Sequence, residues 1–296
     1  FRLHSQTYRS QEFRSEDVKM VVRTIETIDS SELIALLVAI REVYGYDFTQ
    51  YAEASIKRRS LYFMNSRKIT SVKALGDLLL NDETAFEDFV RNLSVTVTEM
   101  FRDPMFYAAL RTRVIKRLAT YPFIKVWVAG CATGEEVYSI AILLKEEGLL
   151  DRTLIYATDI NQHSLHHARE GIFPIDLMKA YTSNYMKSGG KRDFSEYYVA
   201  QYNAALFDRS LRNNIVFAPH NLASDQSFNE FHLILCRNVL IYFNQALQNK
   251  VINLFYDSLC MFGILGLGNK ESLLFTNKNN RFDVIDKKQK VFIKVA

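Results

Sequence analysis

The run Val126-Trp127-Val128-Ala129-Gly130-Cys131-Ala132-Thr133-Gly134-Glu135-Glu136 joins a β-branched stretch to a helical one through consecutive small residues. Small residues let the backbone of such a turn approach a ligand closely, and the first helical turn offers N–H groups with no partner inside the helix. The ligand's character can be argued by elimination. A phosphate-cradling P-loop needs Gly-Lys-Ser/Thr at the helix start, and no Lys stands here. A dinucleotide fingerprint needs Gly-x-Gly-x-x-Gly and welcomes a pyrophosphate at the helix N-terminus, where Glu135 and Glu136 would repel it. A cationic or neutral nucleoside suits these acids better, and S-adenosylmethionine (SAM), with its sulfonium and ammonium, is such a ligand. The plainer alternative is a tight strand–helix turn whose glutamates stabilise the helix. Asp159 lies 29 residues beyond Gly130, just past a second apolar stretch. An acid there can accept hydrogen bonds from both ribose hydroxyls, or cap the helix that follows.

Positioning these groups takes a sheet. Lys125 to Ala129, Leu154 to Thr158, Ile215 to Ala218 and Phe231 to Cys236 read as short strands, with helices over about 135–147 and 161–170. A last strand pair, about 262–267 and 290–295, closes the chain. Such alternation predicts a parallel sheet covered on both faces. Residues 130, 159, 221 and 237 each follow a strand, where open α/β sheets bind ligands. Upstream the texture is helical. Asp29 and Glu32 have capping-box spacing, and Leu33, Leu36, Leu37 and Ile40 repeat at helical intervals. Further helices are expected at about 50–65, 71–80 and 82–93. The expected organisation is a tail or linker over 1–28, a helical domain over 29–95, a connecting segment over 96–122 and an α/β domain over 123–296. Residues 171–214, rich in Tyr, Asn and Ser with a turn at Ser188-Gly189-Gly190-Lys191, read as an insertion.

Five motifs now fall in order: Leu93-Ser94-Val95-Thr96-Val97-Thr98-Glu99-Met100-Phe101-Arg102-Asp103-Pro104, then Ala129 to Glu136, Thr158-Asp159-Ile160, Asn221-Leu222, and Cys236-Arg237-Asn238-Val239-Leu240-Ile241-Tyr242-Phe243. Together, over about residues 30 to 295, they closely resemble the CheR-type chemotaxis receptor methyltransferases, SAM-dependent enzymes that esterify glutamate side chains on chemoreceptors. The resemblance implies a doubly wound, Rossmann-like methyltransferase fold, its mostly parallel sheet ending in an antiparallel strand, preceded by a small all-α domain. It implies cofactor contacts at Thr96, Thr98 and Arg102 on the connecting segment, and at Gly130 and Glu136 by the glycine turn. It also implies Asp159 on the ribose, Asn221 and Leu222 flanking the adenine, Arg237 and Asn238 after the fourth strand, and Tyr242 near the transferred methyl. The product would be S-adenosylhomocysteine (SAH). The family usually has Asn where Thr96 stands; a hydroxyl still donates and accepts, so the change does not read as inactivating. The insertion sits where the family carries a small β-subdomain that can dock on receptors.

The chemistry implied is spare. A glutamate carboxylate, with an unperturbed pKa of about 4.3, is already ionised near neutral pH, so no general base is required. The enzyme has to align carboxylate oxygen, methyl carbon and sulfur and exclude water. Arg102 could orient the substrate carboxylate through its fork of donors, and the Tyr242 hydroxyl could steady the reacting centre. The plainer alternatives are an ion pair of Arg102 with Asp103 or a neighbouring helix, and ordinary core packing for Tyr242.

Composition bounds the rest. With 296 residues, 48% hydrophobic and 24% charged, the chain is neither disordered nor collagen-like. Its longest apolar run, Leu33 to Ile40, is far short of the roughly 20 residues of a membrane span. Cys131, Cys236 and Cys260 form no CxxC pair, which fits a reducing cytoplasm. No signal peptide is visible, and the chain starts at Phe1 rather than Met, as an engineered piece or a natural fragment would. A net charge of +4 alone names no nucleic-acid partner. Residues 54–76, however, carry Lys57, Arg58, Arg59, Arg67, Lys68 and Lys73 and no acid. Such a helix face would attract an acidic receptor segment, through Lys57-Arg58-Arg59, or is simply solvated; no stacking platform marks nucleic acid. His163, His166 and His167 lack a matching Cys or acid cluster, so no metal site is expected. Two other readings stay open: a SAM methyltransferase with another substrate, and a non-catalytic scaffold on the same fold.

Overall fold

The computed structural model describes residues 27–94 and 98–296. Thr96 and residues 1–26 of the expected tail lie outside the described residues.

Four helices open the described chain: α1 (Ser30–Tyr44), α2 (Glu53–Ser66), α3 (Val72–Asn81) and α4 (Glu83–Leu93). Their starts are set by side chains that take up free backbone donors. Asp29 accepts from the N–H of Ser31 and Glu32, Ser71 from Ala74, and Asp82 from Ala85. The periodic leucines of α1 face a core shared with Phe63, Leu75, Leu79, Phe86 and Phe89. Ile28, read as the end of the tail, is buried in this core.

Next come α5 (Pro104–Ala109) and α6 (Ile115–Leu118), separated by a π turn over Leu110–Val114. The α/β region follows as β1 (Ile124–Ala129), α7 (Glu135–Glu146), β2 (Thr153–Asp159), α8 (Gln162–Glu170), β3 (Ile172–Pro174), α9 (Met178–Lys187), β4 (Tyr198–Gln201), β5 (Ala204–Phe207), β6 (Ile215–Pro219), β7 (Phe231–Cys236), α10 (Gln245–Ser258), β8 (Leu259–Leu267), β9 (Phe282–Asp286) and β10 (Val291–Lys294). Among the described residues the main sheet runs β6-β2-β1-β7-β8-β10-β9. β6, β2, β1, β7 and β8 are parallel, and β10 is antiparallel to both its neighbours. Alternation along β1 feeds two cores. Val126 and Val128 pack with α7, while Trp127 and Ala129 pack with α10. The chain leaves β1 toward β2 and β6, then returns to β7 on the other side of β1. That reversal opens a crevice at the carboxyl ends of the strands.

Residues 172–207 contain a second, antiparallel sheet ordered β3-β5-β4, beside α9. Its core joins Phe173, Tyr181, Tyr185, Phe194, Tyr197 and Phe207 to the α7 side of the main sheet.

Three elements go beyond the sequence expectations. The segment 104–118 is helical, but its π turn shifts the phase of the buried side chains midway. α10 begins at a cap in which Asn244 accepts from the Leu247 N–H, and its Gln- and Asn-rich outer face dilutes the apolar period. β9 is a short edge strand whose Phe282 alone is buried.

Candidate functional site

The turn after β1 is drawn tight by the end of β2. The N–H groups of Gly130 and Cys131 both donate to the Thr158 carbonyl, at 2.8 and 2.9 Å. Gly130 has φ +72°, and a Cβ there would lie 2.5 Å from Val239 Cγ2, so only glycine lets the β1 and β7 turns meet. Ala132 is also left-handed, with φ +47°, and its N–H donates to Asp159 Oδ2 at 2.8 Å. Asp159 Oδ1 accepts from Asn161 at 2.9 Å, and Asn161, not Asp159, caps α8. Asp159 therefore shapes the turn as well as facing the cavity. Burial pushes its carboxyl pKa up, and three backbone donors pull the other way.

The two glutamates of α7 part company. Glu135 turns inward to Thr133 Oγ1 at 2.6 Å and to the Tyr181 hydroxyl at 3.4 Å, and burial raises its pKa. Only Glu136 faces the cavity. The expectation that both would repel a phosphate thus holds for Glu136 alone.

Arg237, after β7, has a side chain only 2% exposed. Its guanidinium donates to Glu136 Oε1 at 2.9 Å, Asp103 Oδ2 at 2.8 Å and the Arg102 carbonyl at 3.2 Å, and lies 4.1 Å from the Phe106 ring centroid. It rivets the connecting segment to the sheet. Asp103 and Glu136 are thus the two carboxylates paired with Arg237. The same segment is held by the Phe101 N–H on Ser139 Oγ at 2.8 Å. Phe101 and Asp103 have φ +52° and +56°, strain that these contacts must hold.

A second clamp was not legible in the motifs. Glu271, 4% exposed, sits in the loop after β8. Its carboxylate accepts from the N–H of Gly268 (2.5 Å), Asn238 (3.1 Å), Val239 (2.9 Å) and Leu240 (2.8 Å). Burial raises its pKa against the pull of these four donors. Asn238, at φ +62°, is held in place by it. Glu271→Gln would turn an amide NH₂ toward N–H donors. We expect a loss of about 1–3 kcal/mol in urea denaturation together with weaker binding at the cavity. Unchanged stability would refute the clamp.

The helical domain closes the other side. The Ala52 N–H donates to the Tyr242 carbonyl at 2.7 Å, and the Asn244 N–H to the Gln50 carbonyl at 2.9 Å. Tyr51 and Phe243 form a β-bridge, with ring centroids 4.9 Å apart.

Between these parts lies a cavity that opens to solvent. Thr98, Arg102, Gly130, Glu136, Asp159, Asn221, Leu222, Arg237, Asn238 and Tyr242 all line it. Asn221 also folds its own turn, its Oδ1 accepting from Ala223 at 2.9 Å. The wall includes residues the sequence did not single out: Phe48 and Tyr51 from the helical domain, Glu99, Ile160 and His220. His220 could have been suspected from its place beside Asn221. Phe48 and Tyr51 carried no signal, because only the packing of the helical domain brings them here. The acids Glu99, Glu136 and Asp159 suit a cationic ligand with hydroxyls and oppose a phosphate. Among the described residues no group of His, Cys, Asp and Glu could hold a metal, and no helix is long and apolar enough to cross a membrane.

The all-α domain and the doubly wound sheet with a cavity at its carboxyl ends each match a family model, and those models define the class as SAM-dependent methyltransferase. Residues 96–291 match the CheR methyltransferase SAM binding domain, and residues 31–94 match the CheR methyltransferase all-alpha domain. The chain belongs to the CheR methyltransferase family. It is 50% identical over 271 residues to the Pseudomonas putida protein named Cher3, covering 92% of this chain and 99% of that protein. It is 29% identical over 237 residues to the chemotaxis protein methyltransferase of Listeria innocua, covering 79% of this chain and 87% of that protein. It is 30% identical over 201 residues to the chemotaxis protein methyltransferase of Escherichia coli, with 67% of each covered.

Proposed function

We propose that this chain methylates glutamate side-chain carboxylates of a chemoreceptor or receptor-like signalling protein in the cytoplasm, releasing SAH. The observation that carries the reading is the gathering of ten motif residues from five separate segments onto one cavity wall. SAM, when bound, supplies an electrophilic methyl carbon on a sulfonium. Asp159 accepts from the ribose hydroxyls, and Asn221 and Leu222 flank the adenine. Glu136, with one oxygen committed to Arg237, presents the other to the ammonium; Gly130, Thr98, Arg237 and Asn238 shape the wall around it. Thr96 belongs to the same contact set by its place in the first motif. Arg102 orients the incoming carboxylate through two donors, and Tyr242 closes on the reacting centre and excludes water. No residue is asked to remove a proton, because the nucleophile is already an anion.

The basic helix α2 supports an acidic partner, with its three candidates in different states. Lys57 pairs with Glu53 at 2.9 Å. Arg59 donates to the Asn92 carbonyl at 2.9 Å and lies 5.8 Å from the Tyr242 ring centroid. Arg58 is exposed. Contact with a receptor would therefore run chiefly through Arg58.

The test uses SAM labelled in its methyl group and a receptor cytoplasmic fragment. Label that mild alkali releases from protein as methanol is an ester; alkali-stable label would point to another substrate. Arg102→Ala should lower kcat by about 100-fold, far more than it weakens SAH binding. Full activity in that variant would remove Arg102 from the mechanism.

A further inference from the structure

The helical domain brings to the cavity a hydroxyl that the fold itself does not use. Tyr51 lines the wall, and among the described residues no protein group forms a hydrogen bond with its phenol. The rest of the residue is fixed. Its backbone N–H donates to the Phe48 carbonyl at 3.1 Å, and its ring meets those of Phe48 and Phe243 edge-on, with centroids 5.3 and 4.9 Å apart. Two observations put the phenol on the Asp159 side of the cavity. Ile160, the residue after Asp159, lines the same wall and packs against the helical core that Tyr51 also joins. Burial, then the Asp159 and Asp47 carboxylates, push the Tyr51 hydroxyl pKa up, so Asp159 is near enough for its charge to be felt. Near neutral pH the group is therefore an intact O–H, able to donate.

The chemistry beside it lacks a donor. Asp159, as a carboxylate, can only accept, so on a ribose it takes up the hydroxyl hydrogens and leaves the ribose oxygens unmet. The backbone N–H groups of Ala132 and Asn161 are already engaged by the carboxylate. An acceptor enclosed in a site without a donor weakens binding.

We propose that Tyr51 is a cofactor-binding residue contributed by the helical domain, its hydroxyl donating to a ribose oxygen of SAM while Asp159 accepts from the ribose hydrogens. The two side chains satisfy the ribose as acceptor and as donor, and a nucleoside without that hydroxyl loses the Tyr51 contact. The proposal deepens the reading of Asp159 given above and rests on it.

The experiment is titration calorimetry of the full chain with SAH and with its 2′-deoxy and 3′-deoxy analogues. Tyr51→Phe keeps both ring contacts and removes only the hydroxyl. It should bind SAH about five- to tenfold more weakly, the loss of one neutral hydrogen bond, with the urea midpoint of the unliganded protein unchanged. For one of the two analogues wild type and variant should bind alike, because the accepting oxygen is gone. Equal SAH affinity in the two proteins would overturn the proposal. So would a loss of the same size for SAH and for both analogues, which would put the hydroxyl on another part of the ligand. A lower midpoint in the unliganded variant, matching its loss of affinity, would make the hydroxyl part of the fold and overturn the proposal too. Asp159→Ala, titrated alongside, separates the two readings. Weak binding there beside an unchanged Tyr51→Phe fails Tyr51 alone, whereas full affinity in Asp159→Ala fails the ribose reading itself.

Discussion

Asp159→Ala is expected to weaken SAH binding by about 100-fold or more in titration calorimetry. A carboxylate lost from two ribose hydroxyls costs about 1.5–3 kcal/mol, roughly 10- to 150-fold. The structure pushes the expectation to the upper part of that range. Asp159 also holds the left-handed Ala132 through its N–H at 2.8 Å, so the glycine turn loses its brace in the same step. Asp159→Asn keeps an acceptor for Ala132 or for the ribose but not the charge, and should fall between the two. Equal SAH affinity in wild type and Asp159→Ala would place the ribose elsewhere. A wild type that binds neither SAM nor SAH would defeat the catalytic reading altogether.

Arg237→Leu should cost about 3–5 kcal/mol in urea denaturation, the largest stability effect expected of any single change in this site. The substitution removes a guanidinium that is 2% exposed and leaves Glu136, only 12% exposed, as an uncompensated carboxylate. Asp103 is better solvated, at 32%, and contributes less to the loss. Arg237→Lys should recover only part of the stability, since one ammonium cannot span Glu136, Asp103 and the Arg102 carbonyl. A variant as stable as the wild type would show that Arg237 binds ligand rather than tying the fold together.

The contrast between Arg237 and Glu271 shows what the chain discloses by itself. Gly130, Asp159 and Arg237 follow strands that can be read from β-branched runs, so their meeting at one end of a parallel sheet was legible in advance. The antiparallel last strand and the helical N-terminal domain were legible through the family resemblance and through capping side chains such as Asp29. Glu271 was hidden. Its four donors come from residues 3 to 33 positions away, and a lone glutamate in a polar loop carries no local pattern. Phe48 and Tyr51 were hidden for a related reason, since their place on the cavity wall depends on one domain packing against another. The helix around 104–118 was obscured by a single extra residue per turn that breaks the expected period.

The seam at Tyr51–Phe243 gives the cavity two owners. Because both domains contribute wall, part of whatever free energy a ligand gains there is also spent as adhesion between them. Occupancy and domain docking are then one equilibrium seen from two sides: a filled cavity cements the halves, and an ill-fitting pair of halves holds its ligand poorly. A ligand that leaves the cavity gives up the same adhesion, so its departure and the loosening of the seam are coupled.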